Sequence, residues 1–271
     1  MSVATSSLEE TGLEVVDLQS DAAFVARRLH ARDVAVQMEG MRRLSHALVE
    51  RPDTILQELV NAAVDLCGAD SAGISIEQDE KTDENFYHWV ATAGAYAGFL
   101  NATLPRSPSA CGICLECGRP QHFRVGQPFF DLLGVEAPIV TDGILLPWRV
   151  GETAGTIWIV AHGRTEAFDL EDCHMMQMLA DFAAMGVRQQ RQQKLLLEQA
   201  SVAAAASMAN DLAHKINNPL QSLTNIVYLA AKGNSHGDTK ALAGELSEHV
   251  DGLSVLVGKL LALPGQAARS V

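Results

Sequence analysis

From Leu170 onward no proline and no clear stop interrupts the chain until Pro219. Apolar residues at Met175, Met178, Leu179, Phe182 and Met185 recur there at helical spacing, and Asp169 is placed to cap the N-terminus. The Gln- and Arg-rich residues 188–194 carry the pattern on as an exposed connecting helix, not a flexible linker. Past them, Leu197, Ala204, Met208, Leu212, Ile216, Leu220, Leu223, Val227 and Ala230 form a seam stepping mostly by three or four. The Gly- and Asn-containing residues 232–238 read as a turn, and Leu242, Leu246, Val250, Leu253, Val257 and Leu260 form a second seam before Leu263-Pro264-Gly265 ends it. A hairpin of two such helices buries one face of each, and two copies would close a four-helix bundle. The expectation is a homodimer through this hairpin.

Upstream the pattern is mixed. Residues 1–32 read as an N-terminal tail, loose over 1–20. Residues 33–50 have helical spacing, and Arg51-Pro52-Asp53 breaks it. Asp53 is a plausible N-cap for a helix through Cys67, which Gly68-Ala69-Asp70 ends. The period then changes to two: residues 71–77 and 86–92 read as strands around a charged turn at 78–85. A proline-rich, loop-rich stretch follows over 94–141. Residues 144–150 and 154–161 read as a hairpin at the centre of the sheet, joined by Gly151-Glu152-Thr153. Helix, strands, helix and helical hairpin in that order give two units. An α+β domain with an antiparallel sheet and flanking helices spans 33–187, and an all-α connecting helix and hairpin spans 188–271.

Charge excludes some partners. The net charge is −13, and residues 191–271 hold 6 acids and 7 bases, so the acidity lies upstream. Phosphate contacts need Lys and Arg, which argues against nucleic acid. No apolar run reaches the length of a membrane helix, and the acidic start lacks the basic and apolar regions of a signal peptide. The reading is cytoplasmic, with no membrane partner. Five cysteines, an odd number, then agree with free thiols.

The most specific motif is Asp211-Leu212-Ala213-His214-Lys215-Ile216-Asn217-Asn218-Pro219-Leu220. Leu212 and Ile216 lie on the seam, so His214 between them points about 160° away, toward solvent, at about 100° per residue. Asn218, four residues on, shares that outer face. Pro219 removes a backbone hydrogen bond and is expected to kink the helix. An exposed imidazole, neutral and nucleophilic near pH 7, is suited to accept a phosphoryl group. These residues resemble the H-box of sensor histidine kinases whose motif reads His-Glu-Ile-Asn-Asn-Pro-Leu. The resemblance implies that His214 is the phosphoacceptor and that Asn218 positions water or phosphate during response-regulator dephosphorylation. It departs from the family at Lys215, where an acid would help remove the imidazole proton. A cation cannot accept that proton, although it can attract an incoming phosphoryl group. The chain also contains no phosphate-cradling motif and no ATP site of the family's kind.

Residues 53–187 resemble a GAF domain of the kind that precedes bacterial histidine kinases. The likeness rests on residues 56–75, Ala110-Cys111-Gly112, Pro138-Ile139-Val140, residues 146–151 and residues 155–162. It implies a pocket between the sheet and the 94–141 region for an unknown small ligand, and leaves any cofactor unknown. Cys111, Arg149 and His162 are the candidate ligand contacts. Cys111, Cys114 and Cys117 have a spacing that could hold zinc or an iron–sulfur cluster, with His122 or Cys67 as a fourth ligand. Buried free thiols acting as small hydrophobes explain the same spacing better than a metal does, and His162 is read first as a strand-end residue with a backbone partner. Two functions stay open. One is a two-component phosphorelay sensor, with a kinase ATPase domain or response regulator as partner in trans. The other is a non-enzymatic dimeric sensor or scaffold whose hairpin has lost its chemistry.

Overall fold

The computed structural model describes residues 11–29, 33–78, 82–231 and 239–262, with the backbone alone at 229–231, 239–242 and 259–262. The chain forms two compact units, Met1–Gln193 and Lys194–Val271.

The first unit is built on strands β1 (Leu13–Asp17), β2 (Ser71–Glu77), β3 (Tyr87–Gly94), β4 (Thr103–Leu104), β5 (Gln121–Val125), β6 (Val140–Val150) and β7 (Thr153–Ala161). They make one seven-stranded sheet in the order β1-β5-β6-β7-β2-β3-β4, and every pairing is antiparallel. Its helices are α1 (Ala22–Val25), α2 (Val34–Glu50), α3 (Ile55–Cys67), α4 (Ala110–Cys117), α5 (Gln127–Leu133) and the start of α6 (Leu170–Ala231). In the second unit α6 continues and α7 (Thr239–Ala262) follows.

Strand alternation sorts the core into two layers. Ile144, Leu146 and Trp148 of β6, with Ile157 and Ile159 of β7, pack under Leu59 of α3 and Met176 and Leu179 of α6. Leu145 of β6 and Trp158 and Val160 of β7 face the other way, toward Cys111 and Leu115 of α4 and Phe129 of α5. Gly73 on β2 permits this second layer to close: a Cβ there would stand 2.2 Å from Cζ2 of Trp158. The local signals for these helices are visible. Gly68 ends α3 with φ 61°, and Asp33 caps α2 by accepting from the Ala35 and Val36 amides. Asp169 Oδ1 accepts from the Glu171 amide at 2.9 Å while Asp172 Oδ2 accepts from the Asp169 amide at 3.1 Å, a reciprocal cap on α6.

Several expectations need correcting. Within the expected tail, residues 11–29 are ordered onto the sheet: β1 pairs with β5, and Leu13 and Phe24 are buried. A strand this short, with apolar Val16 on its exposed face, gives little periodicity, and its pairing partner is distant in sequence. Asp53 does not cap α3; it lies in a 3-10 turn over Pro52–Thr54. The loop-rich stretch 94–141 contains α4, β5 and α5, none longer than 8 residues. On α6, Met178 and Met185 are exposed, while Met176, Ala180 and Ala183 take the buried positions.

In the second unit α6 runs through Pro219 as continuous helix. Its half-buried or buried apolar positions are Leu212, Ile216, Pro219, Leu223 and Ile226, with half-buried Ser222 beside them, and the half-buried positions of α7 are Leu246, His249, Leu253 and Leu256. Steps of four and three mark one stripe on each helix. Leu220, Val227, Val250 and Val257, expected in the same seams, are exposed instead, as are Leu197, Ala204 and Met208. Each of the first four follows or leads a stripe residue by one position and so sits at the stripe's edge. The side chains of Ala230, Leu242 and Leu260 and the turn at 232–238 lie outside the described residues. No helix among the described residues is long and apolar enough to cross a membrane.

Candidate functional site

The layer beneath α4 and α5 encloses a cavity of about 620 Å³. Four aromatic rings shape one end of it. Trp89 lies 4.8 Å from Trp158 between ring centroids and stacks on Tyr96 at 6.0 Å, while Phe99 stands edge-on to both Trp89 and Tyr96. A register shift brings Trp89 to this face. Ile74 pairs with Ala91, but the next residue of β2, Ser75, pairs with Trp89, so Val90 is the extra residue of a bulge. Ala91 and Ala93 therefore face the helical layer, and Tyr87 and Trp89 face the cavity side. Tyr96 is fixed by donating from its hydroxyl to the Pro138 carbonyl at 2.6 Å. The Trp89 indole N–H, buried in the wall, has no hydrogen-bond partner.

Of the three residues expected to contact a ligand, the cavity receives one. Cys111, in the first turn of α4, lines it. Its Sγ accepts from Thr156 Oγ1 at 3.2 Å and lies 3.4 Å from Ser75 Oγ, whose hydroxyls are themselves 2.8 Å apart. Burial pushes this thiol's pKa up, despite the hydroxyls. Arg149 does not reach the cavity. It shares the Leu145 face of β6, as alternation requires, but lies four residues further along and donates from Nη2 to the Leu115 carbonyl near the end of α4. His162 is likewise outside: Nε2 meets Ser71 Oγ at 2.8 Å, Nδ1 meets the Ile139 carbonyl at 2.9 Å, and the ring packs on Tyr96. It holds the end of β7 to its neighbours.

The three cysteines of the possible metal set have separate surroundings. Cys114 is buried, with its Sγ 3.5 Å from the Arg119 carbonyl and 3.7 Å from the Leu145 carbonyl, whereas Cys117 is exposed. Burial raises the Cys114 pKa strongly. Among the described residues no group of three His, Cys, Asp or Glu is placed to hold a metal ion. His122, the suggested fourth ligand, is engaged elsewhere. Its Nδ1 is 2.7 Å from Asp21 Oδ2 and its Nε2 is 2.7 Å from Asp142 Oδ1. Asp142 also accepts from Arg27 Nη1 at 2.8 Å and from the Ala167 and Phe168 amides. This cluster, unforeseen in the sequence, ties the N-terminal segment to the loop that starts α6. Leu29 adds its amide to Asp169 Oδ2 at 3.0 Å.

In the second unit His214 and Asn218 are both exposed, one turn apart, beside half-buried Leu212 and Ile216. Lys215 is exposed too, and its Nζ lies 2.7 Å from Asp211 Oδ2.

Comparisons with known proteins bear on the first unit. No curated protein matches the chain. Among solved structures, the GAF domain of a phosphoenolpyruvate-protein phosphotransferase from Coxiella burnetii is similar, at 18% identity and a TM-score of 0.48, covering 60% of this chain and 99% of that one. The GAF domain of a putative sensor histidine kinase from Pseudomonas syringae pv. tomato matches at 18% identity and 0.42, covering 61% and 94%. Free methionine-R-sulfoxide reductase from Neisseria meningitidis matches at 18% identity and 0.45, covering 62% and 99%. The GAF domain model matches residues 51–187, the span that contains strands β2 to β7 of the antiparallel sheet, α3 to α5 and the first turns of α6. The chain therefore belongs to the GAF domain family.

Proposed function

We propose that this chain is a two-component signalling sensor in which the GAF cavity receives a small molecule and the helical hairpin exchanges a phosphoryl group at His214. The observation that carries the reading is the continuity of α6. One helix contributes Met176, Leu179 and Ala183 to the GAF core and presents His214 further along the same backbone. A change in packing at its first turns is thus connected to the phosphoacceptor segment by helix alone. The exposure of His214 and Asn218, with the Ile216-Asn217-Asn218-Pro219-Leu220 run, fits transfer to and from a protein partner. That partner is a response regulator or a kinase ATP-binding domain. In this reading the hairpin dimerises through the apolar positions at the stripe edges, Leu220, Val227, Val250 and Val257.

A non-enzymatic dimeric sensor or scaffold is the second reading. Lys215 favours it, since its ammonium pairs with Asp211 and offers no base beside His214. Incubation with a phosphorylated receiver domain separates the two. The proposal expects acid-labile phosphate on the wild-type chain and none on His214→Gln; an unlabelled wild type supports the scaffold.

A further inference from the structure

We propose that the cavity takes an uncharged aromatic compound, of about one or two fused rings, and discriminates against organic anions. The inference rests on the reading of this cavity as the sensor's input site. It is carried by the chemistry of the wall. Trp89, Tyr96, Phe99 and Trp158 line one end of the cavity and pack on one another both stacked and edge-on, an aromatic wall of the kind that holds a flat ligand by offset stacking and edge contacts. About 620 Å³ is within the range of sites for small organic molecules and exceeds what one ring needs.

Charge sets the discrimination. Among the described residues that line the cavity, none is Lys, Arg or His, and the single ionisable acid is Glu84, which is exposed. The neutral polar side chains are already occupied in part: Thr103 Oγ1 donates to Asn85 Oδ1 at 2.7 Å, and Ser109 Oγ accepts from the Gly112 amide. A carboxylate or phosphate entering this wall would lose its hydration and find no cation. An organic cation would gain little from Glu84, whose exposed carboxylate is screened by solvent. A neutral ring loses the least water and gains the stacking.

The test is calorimetric titration of the full chain at pH 7 with three probes of one shape: naphthol, which is neutral, naphthoate, and naphthylmethylammonium. Naphthol should bind saturably and about tenfold or more tighter than either ion. Phe99→Ala, a change at a partly buried ring, should weaken naphthol about fivefold. Tighter binding of naphthoate or of the ammonium would overturn the ligand class while leaving the cavity as an input site. Binding by none of the three, or naphthol binding indifferent to Phe99→Ala, would overturn the inference altogether. Phosphotransfer at His214 is measured separately and does not depend on any of these outcomes.

Discussion

His122 and Asp142 meet at 2.7 Å, Nε2 to Oδ1, with their side chains 3% and 0% exposed. Asp21, half-buried on one side, and Arg27, buried on the other, complete a line of hydrogen-bonded side chains. The line joins three segments distant in sequence: the N-terminal segment, β5, and the β6 strand whose Asp142 also holds the Ala167 and Phe168 amides before α6.

Loss of the Asp142 charge should therefore be costly. Asp142→Asn leaves Arg27 buried without its carboxylate, and breaking a buried pair costs about 3–5 kcal/mol. Urea unfolding should show a loss of that order, with earlier exposure of residues 11–29 to proteolysis. The wild type should also show an acid limb. Burial pulls the Asp142 carboxyl upward, but hydrogen bonds from His122, Arg27 and the Ala167 amide more than offset this, and its pKa lies below the ordinary value. Its stabilisation is present above the unfolded carboxylate pKa of about 4 and is lost as pH falls through the lower folded value. Asp142→Asn should flatten that limb.

Gly73→Ala should disturb the cavity wall. The added methyl would lie 2.2 Å from the Trp158 ring, and the ring would have to move. Overpacking of this kind costs about 1–3 kcal/mol. Thermal unfolding should register the loss, and near-ultraviolet circular dichroism should report the displaced indole.

The cysteines should differ in reactivity. Cys117 is exposed, while Cys111, Cys114 and Cys173 are buried, and desolvation lifts the Cys173 pKa to about 11 with the neighbouring Asp172 charge adding to it. Thiolate is the reactive form. Iodoacetamide at pH 7.5 should label Cys117 first, as read by peptide mass spectrometry. Early labelling of Cys111 would contradict the geometry around Ser75 and Thr156.

The sequence was most legible where periodicity ran long. Strands β2, β6 and β7, helix α3 with its Gly68 stop, and the start of α6 at Asp169 all carry local signals strong enough to place them. The cavity wall was not legible for a local reason: the bulge at Val90 moves Trp89 to the opposite face from the one simple alternation assigns. The buried charge line was hidden because its members stand far apart in sequence, and single aspartates look like surface residues. Arg149 and His162 stand in segments that resemble the family, and each has a backbone carbonyl as partner, which for His162 is the strand-end role its position at the end of β7 implies. In the hairpin the heptad-like spacing was visible, but which apolar residues cover each other and which stay exposed depends on the partner helix.

That division of the hairpin gives a sharper test of dimerisation. Leu220, Val227, Val250 and Val257 are exposed within one chain, and burial on association would contribute roughly 1.5–3 kcal/mol for each large aliphatic side chain. Val250→Asp should convert a dimer to a monomer in sedimentation velocity with little loss of helix by circular dichroism. Leu253→Asp, on the half-buried stripe, should lower helicity as well. A wild type that is monomeric at micromolar concentration would remove the bundle from the account.

The most direct measurement is the time course of acid-labile phosphate at residue 214, with a phosphorylated receiver domain or an ATP-loaded kinase domain as donor. The wild type should be labelled, and His214→Gln should lose all label. Lys215→Glu should speed labelling from the kinase domain by up to about 100-fold, because a carboxylate can take the imidazole proton that an ammonium cannot. Loss of the exposed Lys215–Asp211 pair should itself cost little stability. A wild type that neither donor labels, under conditions in which the donors label a competent histidine-kinase hairpin, would contradict the phosphoacceptor role and leave a dimeric sensor without phosphotransfer.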